Sequence, residues 1–190
     1  STRTESSAAS DVYKRQGVDH STLLSWLADY DKDNITIGVV ASHSSLQILH
    51  GARMEGFRTL GIAVGENRRR FYKAFPGAEP DEWLMLEDYR EMLDYAEWFR
   101  SKNVIIVPHG SLVEYLGSEN FRNLEVPTFG NRGILRWESS RAKQRDWLVA
   151  GGCTMPKVLE DPHDIDGPVI VKYAGAKGGR GYFIARDYRD

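Results

Sequence analysis

Apolar positions recur along this chain on two periods, and their order predicts strands interleaved with helices. From Asp19, residues Leu23, Leu24, Trp26, Leu27 and Tyr30 give a broad apolar helical face with Ser21 as its cap, and Asp31 to Asn34 break it. Ile35 to Val40 is a short β-branched run that reads as a buried strand. The polar turn Ala41-Ser42-His43-Ser44-Ser45 follows it, and Leu46, Leu49, Ala52 and Gly56 mark a second helix. Arg58 to Val64 predicts the next strand, followed by a polar, basic loop through Arg68-Arg69-Arg70, and Trp83 to Leu86 predicts a third strand. Tyr89, Met92, Leu93, Ala96 and Phe99 fall at i, i+3, i+4, i+7 and i+10, the spacing of one helix with a face against a sheet. Val104 to Val107 is the fourth strand, ending in Pro108-His109-Gly110-Ser111.

This alternation predicts an α/β fold, a Rossmann-like open parallel sheet, and such sheets bind ligands beyond the carboxyl ends of their strands. The turns that carry His43 and Ser111 lie at such ends. After Gly117 the pattern changes. Val126-Pro127-Thr128-Phe129-Gly130-Asn131 is turn chemistry, and a charged helix from Ile134 to about Val149 is stopped by Gly151-Gly152. The first domain is therefore expected to run from 17 to 126 and a second from 127 to 190. The second ends in two apolar strand-like runs, Val169 to Lys172 and Tyr182 to Ala185, around a loop dense in glycine and cations. A lone hairpin is marginal in water, so this domain reads as incomplete and the chain as truncated.

Composition narrows the function classes. With 190 residues, 41% of them hydrophobic, the chain holds one sizeable core or one domain plus part of another. A net charge of −2 gives no global cationic field for nucleic acid or a membrane surface, so any phosphate recognition must be local. The single cysteine, Cys153, excludes an internal disulfide and a cysteine-based zinc cluster, reads as a buried small residue, and suits the cytoplasm. No apolar run approaches the roughly 20 residues of a spanning helix. Ser1 to Gln16 lack periodicity and read as a disordered tail, either a foreign remnant or a native extension.

Three segments carry candidate chemistry. In the hairpin, glycines let backbone N–H groups close on phosphate oxygens, and Lys172, Lys177 and Arg180 supply charge-assisted hydrogen bonds suited to a nucleoside triphosphate. An ordinary exposed hairpin has the same composition. Ser42-His43-Ser44-Ser45 opens a helix, where free N–H groups favour an anion and the serines add donors, although a plain cap with an incidental histidine also fits. His109-Gly110-Ser111 repeats the theme. His43 with His109 lacks a third spaced metal ligand, and His20, His50 and His163 read as ordinary surface or helix residues. Arg68 to Arg70 could touch a phosphate, but a solvated basic loop is the favoured reading. Neither Gly-x-Ser-x-Gly nor a P-loop ending in Gly-Lys-Ser/Thr occurs, which argues against a serine hydrolase and a Walker-type ATPase.

Several signatures occur in one order: Ala41 to Leu49, Glu55-Gly56-Phe57, Val107 to Ser111, Phe129-Gly130-Asn131-Arg132, Ile134 to Ser139, and the hairpin from Val169 to Ala185. On these residues the chain, from about Gly17 to Asp190, resembles the amino-terminal half of the archaeal-type FAICAR synthetase family. The resemblance implies a Rossmann-like preATP-grasp domain followed by the start of an ATP-grasp domain. It further implies a ligase of purine biosynthesis that joins formate to AICAR, an aminoimidazole carboxamide ribonucleotide, with ATP cleaved and formyl phosphate as intermediate. Carried over by position, His43 and Ser111 are expected to contact AICAR. Lys143, Lys172, Gly175, Lys177, Gly178, Gly179, Arg180 and Gly181 are expected around ATP, with Lys172 and Arg180 as the catalytic pair, Lys172 reaching the α- or β-phosphate and Arg180 stabilising charge on the transferring group. Magnesium ligands in this family fall beyond Asp190, so this fragment alone is expected not to turn over, and the full-length protein is expected to be a homo-oligomer. A paralogue acting on another carboxylate or amine, or a noncatalytic nucleotide-binding protein, is the alternative.

Overall fold

A computed structural model describes residues 18–138, 140–172 and 182–190. The expectations for the tail, residues 1–16, and for Gly175, Lys177, Gly178, Gly179, Arg180 and Gly181 lie outside the described residues. The chain divides into two compact units, one up to Gly133 and one from Ile134 onward. Among the described residues no helix is long and apolar enough to cross a membrane.

The first unit is built on four parallel strands, β1 (Thr36–Val40), β2 (Arg58–Val64), β3 (Glu82–Leu86) and β4 (Val104–Ile106), in the order β3-β2-β1-β4. Helices α1 (His20–Ala28), α2 (Ser45–Met54), α3 (Glu66–Tyr72), α4 (Ala96–Ser101), α5 (Gly110–Leu116) and α6 (Ser118–Asn123) complete it. Its two central strands are β-branched and apolar because both faces are covered: Val39, Val40, Leu60, Ile62 and Ala63 are fully buried. Gly38 is required where β1 meets β4, since a Cβ there would come within 2.7 Å of Val104 Cγ1 and 2.8 Å of Ile106 Cδ1. On its far side, the Ile106 N–H donates to the Pro127 carbonyl at 3.0 Å and the Phe129 N–H donates to the Ile106 carbonyl at 2.8 Å.

Several local expectations are corrected. The cap of α1 is Asp19, whose carboxylate accepts the Thr22 N–H at 2.8 Å, and not Ser21, which donates its hydroxyl to that carboxylate. Arg68 to Arg70 lie on α3 rather than in a loop: Gly65 at φ 81° turns the chain out of β2, and Tyr72 anchors the helix by packing edge-on against Trp83 at 5.2 Å. The single helix expected from Tyr89 to Phe99 is a 3-10 turn, Tyr89–Leu93, followed by α4. Reciprocal capping between Asp88 and Glu91 opens the first turn, and the path breaks at Tyr95, at φ −91° and ψ 10°, after Asp94 has kept helical dihedrals. Residues 127–133, expected to open the second domain, hydrogen-bond within the first unit through Ile106 and through Arg132.

Arg132 explains why the Phe129-Gly130-Asn131-Arg132 signature is there. Its guanidinium donates to the carbonyls of Arg122, Leu124 and Val126 and to the Thr128 hydroxyl, and it lies over the Phe121 ring. The residue is 9% exposed. Burial pulls its pKa down to about 10, and in place of a carboxylate it neutralises backbone dipoles.

In the second unit, α7 (Ile134–Glu138) and α8 (Arg141–Ala150) replace the single helix expected from Ile134 to Val149. Ser140, in an extended conformation, caps α8 by accepting the Lys143 N–H at 3.5 Å. The antiparallel hairpin of β5 (Val169–Lys172) and β6 (Tyr182–Ala185) pairs Val169 with Ala185 and Lys172 with Tyr182. Cys153 is exposed, contrary to expectation, because it follows α8 as a terminal turn residue, its N–H donating to the Leu148 carbonyl at 2.9 Å.

Arg132→Met keeps much of the side chain's bulk but strands three carbonyls. We expect it to lower unfolding free energy by about 2–4 kcal/mol, read from urea midpoints; a loss under about 0.5 kcal/mol, the range of a neutral surface change, would show that the carbonyls find other partners.

Candidate functional site

The strand order reverses at β1, with β2 and β3 on one side and β4 on the other. A parallel sheet opens a crevice at such a switch point, beyond the carboxyl ends of the two strands that diverge there. Those ends are the turns that carry His43 and Ser111.

In the turn after β1 the serines serve the fold. Ser42 and Ser45 are buried, and the Ser45 hydroxyl accepts the Ser42 N–H at 2.8 Å while contacting the Ser42 carbonyl and the Tyr72 hydroxyl. Tyr72 donates to the same carbonyl at 2.7 Å, and its burial raises the phenol's pKa. The expectation that these serines donate to an anion is therefore corrected for Ser45, whose hydroxyl is committed to the turn. His43 is exposed, and α2 begins without a side-chain cap.

In the turn after β4, His109 is the cap of α5. Its Nε2 lies 2.9 Å from the Val40 carbonyl at the end of β1, and its Nδ1 accepts the Ser111 N–H at 3.3 Å. These partners require the neutral tautomer with the proton on Nε2. Burial holds the imidazole below its ordinary pKa, and the charge of nearby His43 pushes the same way, outweighing the Val40 carbonyl. His109 is thus a strut across the switch point. Ser111 sits half-buried in the first turn of α5.

Further side chains gather at the same edge from the ends of β2, β3 and β4; the sequence offered Arg68 as a phosphate contact only as the lesser reading of a basic loop and gave no role to its tyrosine neighbours. Arg68 of α3 donates to the Tyr115 hydroxyl of α5 at 3.1 Å with its guanidinium 5.2 Å from the ring centre, and Tyr115 stacks on Tyr89 at 4.8 Å and 13°. The available signal was the spacing of Ser111 and Tyr115, four residues apart on one helix face. An open groove of about 460 Å³ between α2 and residues 74–78 contains none of the expected site residues.

In the second unit, Lys172 is exposed at the end of β5 opposite Tyr182, and Lys143 is half-buried on α8. Among the described residues no group of three or more His, Cys, Asp or Glu side chains is placed to hold a metal ion.

A family described as "Protein of unknown function (DUF1246)" matches residues 37–159. The 5-formaminoimidazole-4-carboxamide-1-(beta)-D-ribofuranosyl 5'-monophosphate synthetase 1 of Methanosarcina mazei is 58% identical over 168 residues, 88% of this chain and 47% of that protein. The corresponding synthetase of Archaeoglobus fulgidus is 46% identical over 170 residues, covering 88% and 46% respectively. The chain spans about half the length of the curated relatives it matches. Among solved structures, the IMP biosynthesis protein PurP of Thermococcus kodakaraensis aligns with a TM-score of 0.51 at 34% identity over 75% of this chain and 41% of that one. N5-carboxyaminoimidazole synthetase of Staphylococcus aureus shares the fold, with a TM-score of 0.60 at 14% identity over 83% of this chain and 43% of that one.

The His109 strut makes stability pH-dependent. Its folded pKa lies below the ordinary 6.5, so the unfolded chain takes up the proton first: the stabilisation is complete above 6.5 and is lost as pH falls toward the lower folded value. Urea midpoints measured on either side of that pH should show the decline, and His109→Gln should flatten it. An equal slope in the variant would assign the titration elsewhere.

Proposed function

We propose, on the premise that this chain belongs to the DUF1246 family and is homologous to the amino-terminal part of FAICAR synthetases, that it forms the ribonucleotide-binding part of an ATP-dependent ligase that formylates AICAR. The observation that carries this reading is the pair of strand-end turns at the switch of a parallel sheet, joined by His109 to the Val40 carbonyl at 2.9 Å. That crevice suits a phosphorylated, polar heterocycle better than an apolar ligand.

The chemistry needs an activated acyl group, because a formate oxygen is too poor a leaving group for an amine to displace. A formate oxygen attacks the γ-phosphorus of ATP, the bond to the ADP oxygen breaks, and formyl phosphate forms. The 5-amino nitrogen of AICAR then attacks the formyl carbon, phosphate leaves, and the nitrogen gives up a proton to complete the amide. Both steps depend on positioning and on cationic stabilisation. In this reading exposed His43 and half-buried Ser111 contact AICAR. Lys172 reaches the α- or β-phosphate, Arg180 offsets charge on the transferring phosphoryl group, Lys143 assists at ATP, and Gly175, Lys177, Gly178, Gly179 and Gly181 close over the nucleotide. Magnesium, which accompanies ATP in such transfers, would neutralise charge on the nucleotide's phosphates; among the described residues no group of three or more His, Cys, Asp or Glu side chains is placed to hold it.

The test is formylation of AICAR by the full-length protein supplied with ATP and formate. Lys172→Met should cut turnover on the order of 100-fold, and unchanged turnover would refute its role. His43→Ala should raise the KM for AICAR while nucleotide affinity holds. Equal loss of both affinities would mark misfolding in place of a lost contact.

A further inference from the structure

We infer that Arg68 is the phosphate anchor of the ribonucleotide pocket, with Tyr115 as its positioning residue; this rests on the reading of the crevice as an AICAR site. Arg68 follows the carboxyl end of β2, in the first turn of α3, and is half-buried. Other cations of the first unit take carboxylates: Arg69 on the same helix pairs with Glu66 at 3.2 Å, and at the opposite edge of the sheet Arg53 pairs with Asp81 at 3.4 Å and Lys102 with Glu82 at 2.7 Å. Among the described residues Arg68 has no carboxylate within ion-pair distance, and its hydrogen bond goes to the Tyr115 hydroxyl at 3.1 Å. One of five N–H donors is used, which leaves a fork free for an anion.

The surroundings fix that fork. Tyr115 lies under the guanidinium and stacks on Tyr89, so side chains from the ends of β2, β3 and β4 hold one cation in place. Such a clamp limits the rotamer entropy that a free arginine loses on binding. Tyr115 shares a helix face with Ser111, four residues earlier. Tyr72, four residues after Arg68, bonds the Ser42 carbonyl beside His43. The cation, Ser111 and the His43 turn thus border one edge of the sheet. A phosphate monoester offers three oxygens and close to two negative charges to a planar fork, whereas the aminoimidazole carboxamide carries no charge that needs one.

Calorimetric titration of the full-length protein, the chain that carries these residues, with AICAR and with its dephosphorylated riboside tests the inference. The ribotide should bind at least about 10-fold more tightly than the riboside. Arg68→Met should remove that preference by weakening the ribotide about 10- to 100-fold with riboside affinity unchanged, and Arg68→Lys should restore part of it. Inorganic phosphate should compete with the ribotide in the unmodified protein and not in Arg68→Met. If Arg68→Met fails to fold, Tyr115→Phe decides, since it frees the guanidinium and should lower the same ratio. A preference retained in Arg68→Met, or lost equally for ribotide and riboside, overturns the role of Arg68 while the AICAR reading stands. Binding of neither ligand by the unmodified protein overturns both.

Discussion

All four strands of the first unit run the same way, and nearly everything else about its candidate site follows from that constraint. Parallel strands need crossovers, so each strand leaves the sheet at one common edge before its helix returns along a face. The four departures carry His43, Arg68, Tyr89 and Ser111. Because β1 is flanked by β2 on one side and β4 on the other, the crossovers diverge there, and the edge opens where His43 and Ser111 lie.

An opened edge leaves backbone groups in need of partners, and the polar residues around it meet that need in three ways. Ser42, Ser45 and Tyr72 close the first turn on itself. His109 ties the β4 turn to the last carbonyl of β1. Arg132 collects the carbonyls of the segment that runs alongside β4, with no acidic partner among the described residues to draw it away. Each is a buried or half-buried polar group whose desolvation is offset by hydrogen bonds to backbone. Among the described residues, exposed His43, the Ser111 hydroxyl and the spare donors of Arg68 stand outside these networks, and a ligand at this edge would be held from among them.

The alternation of periods made the strands legible. β2 matches its expected span, and β1, β3 and β4 differ by a residue at one end. These strands are apolar on both faces, which makes them short unbroken runs. Helix limits were less legible: segment 89–99 opens as a 3-10 turn capped by Asp88 with Glu91 and divides at Asp94–Tyr95, and segment 134–149 divides where Ser140 caps a backbone N–H locally and outcompetes continued periodicity. Cys153 followed a composition rule that favours burial, but a residue just past a helix end in a small unit has little to bury against.

Within the candidate site, the turns were visible because serine, histidine and glycine cluster after β-branched runs. Their division of labour was not visible. Residue type alone cannot distinguish a serine turned into a buried network from one left half-exposed, or a histidine that braces two strands from one beside a ligand. Arg68 shows the limit most clearly: in one dimension it belongs to a basic run, and its tyrosine partners are 21 and 47 residues away. Periodicity and turn chemistry are local and survive in the linear order of residues, so they settle strands, crossovers and the edge that bears the site. Which charge lacks a counter-ion depends on distances between segments remote in the chain, and those exist only after the sheet has assembled.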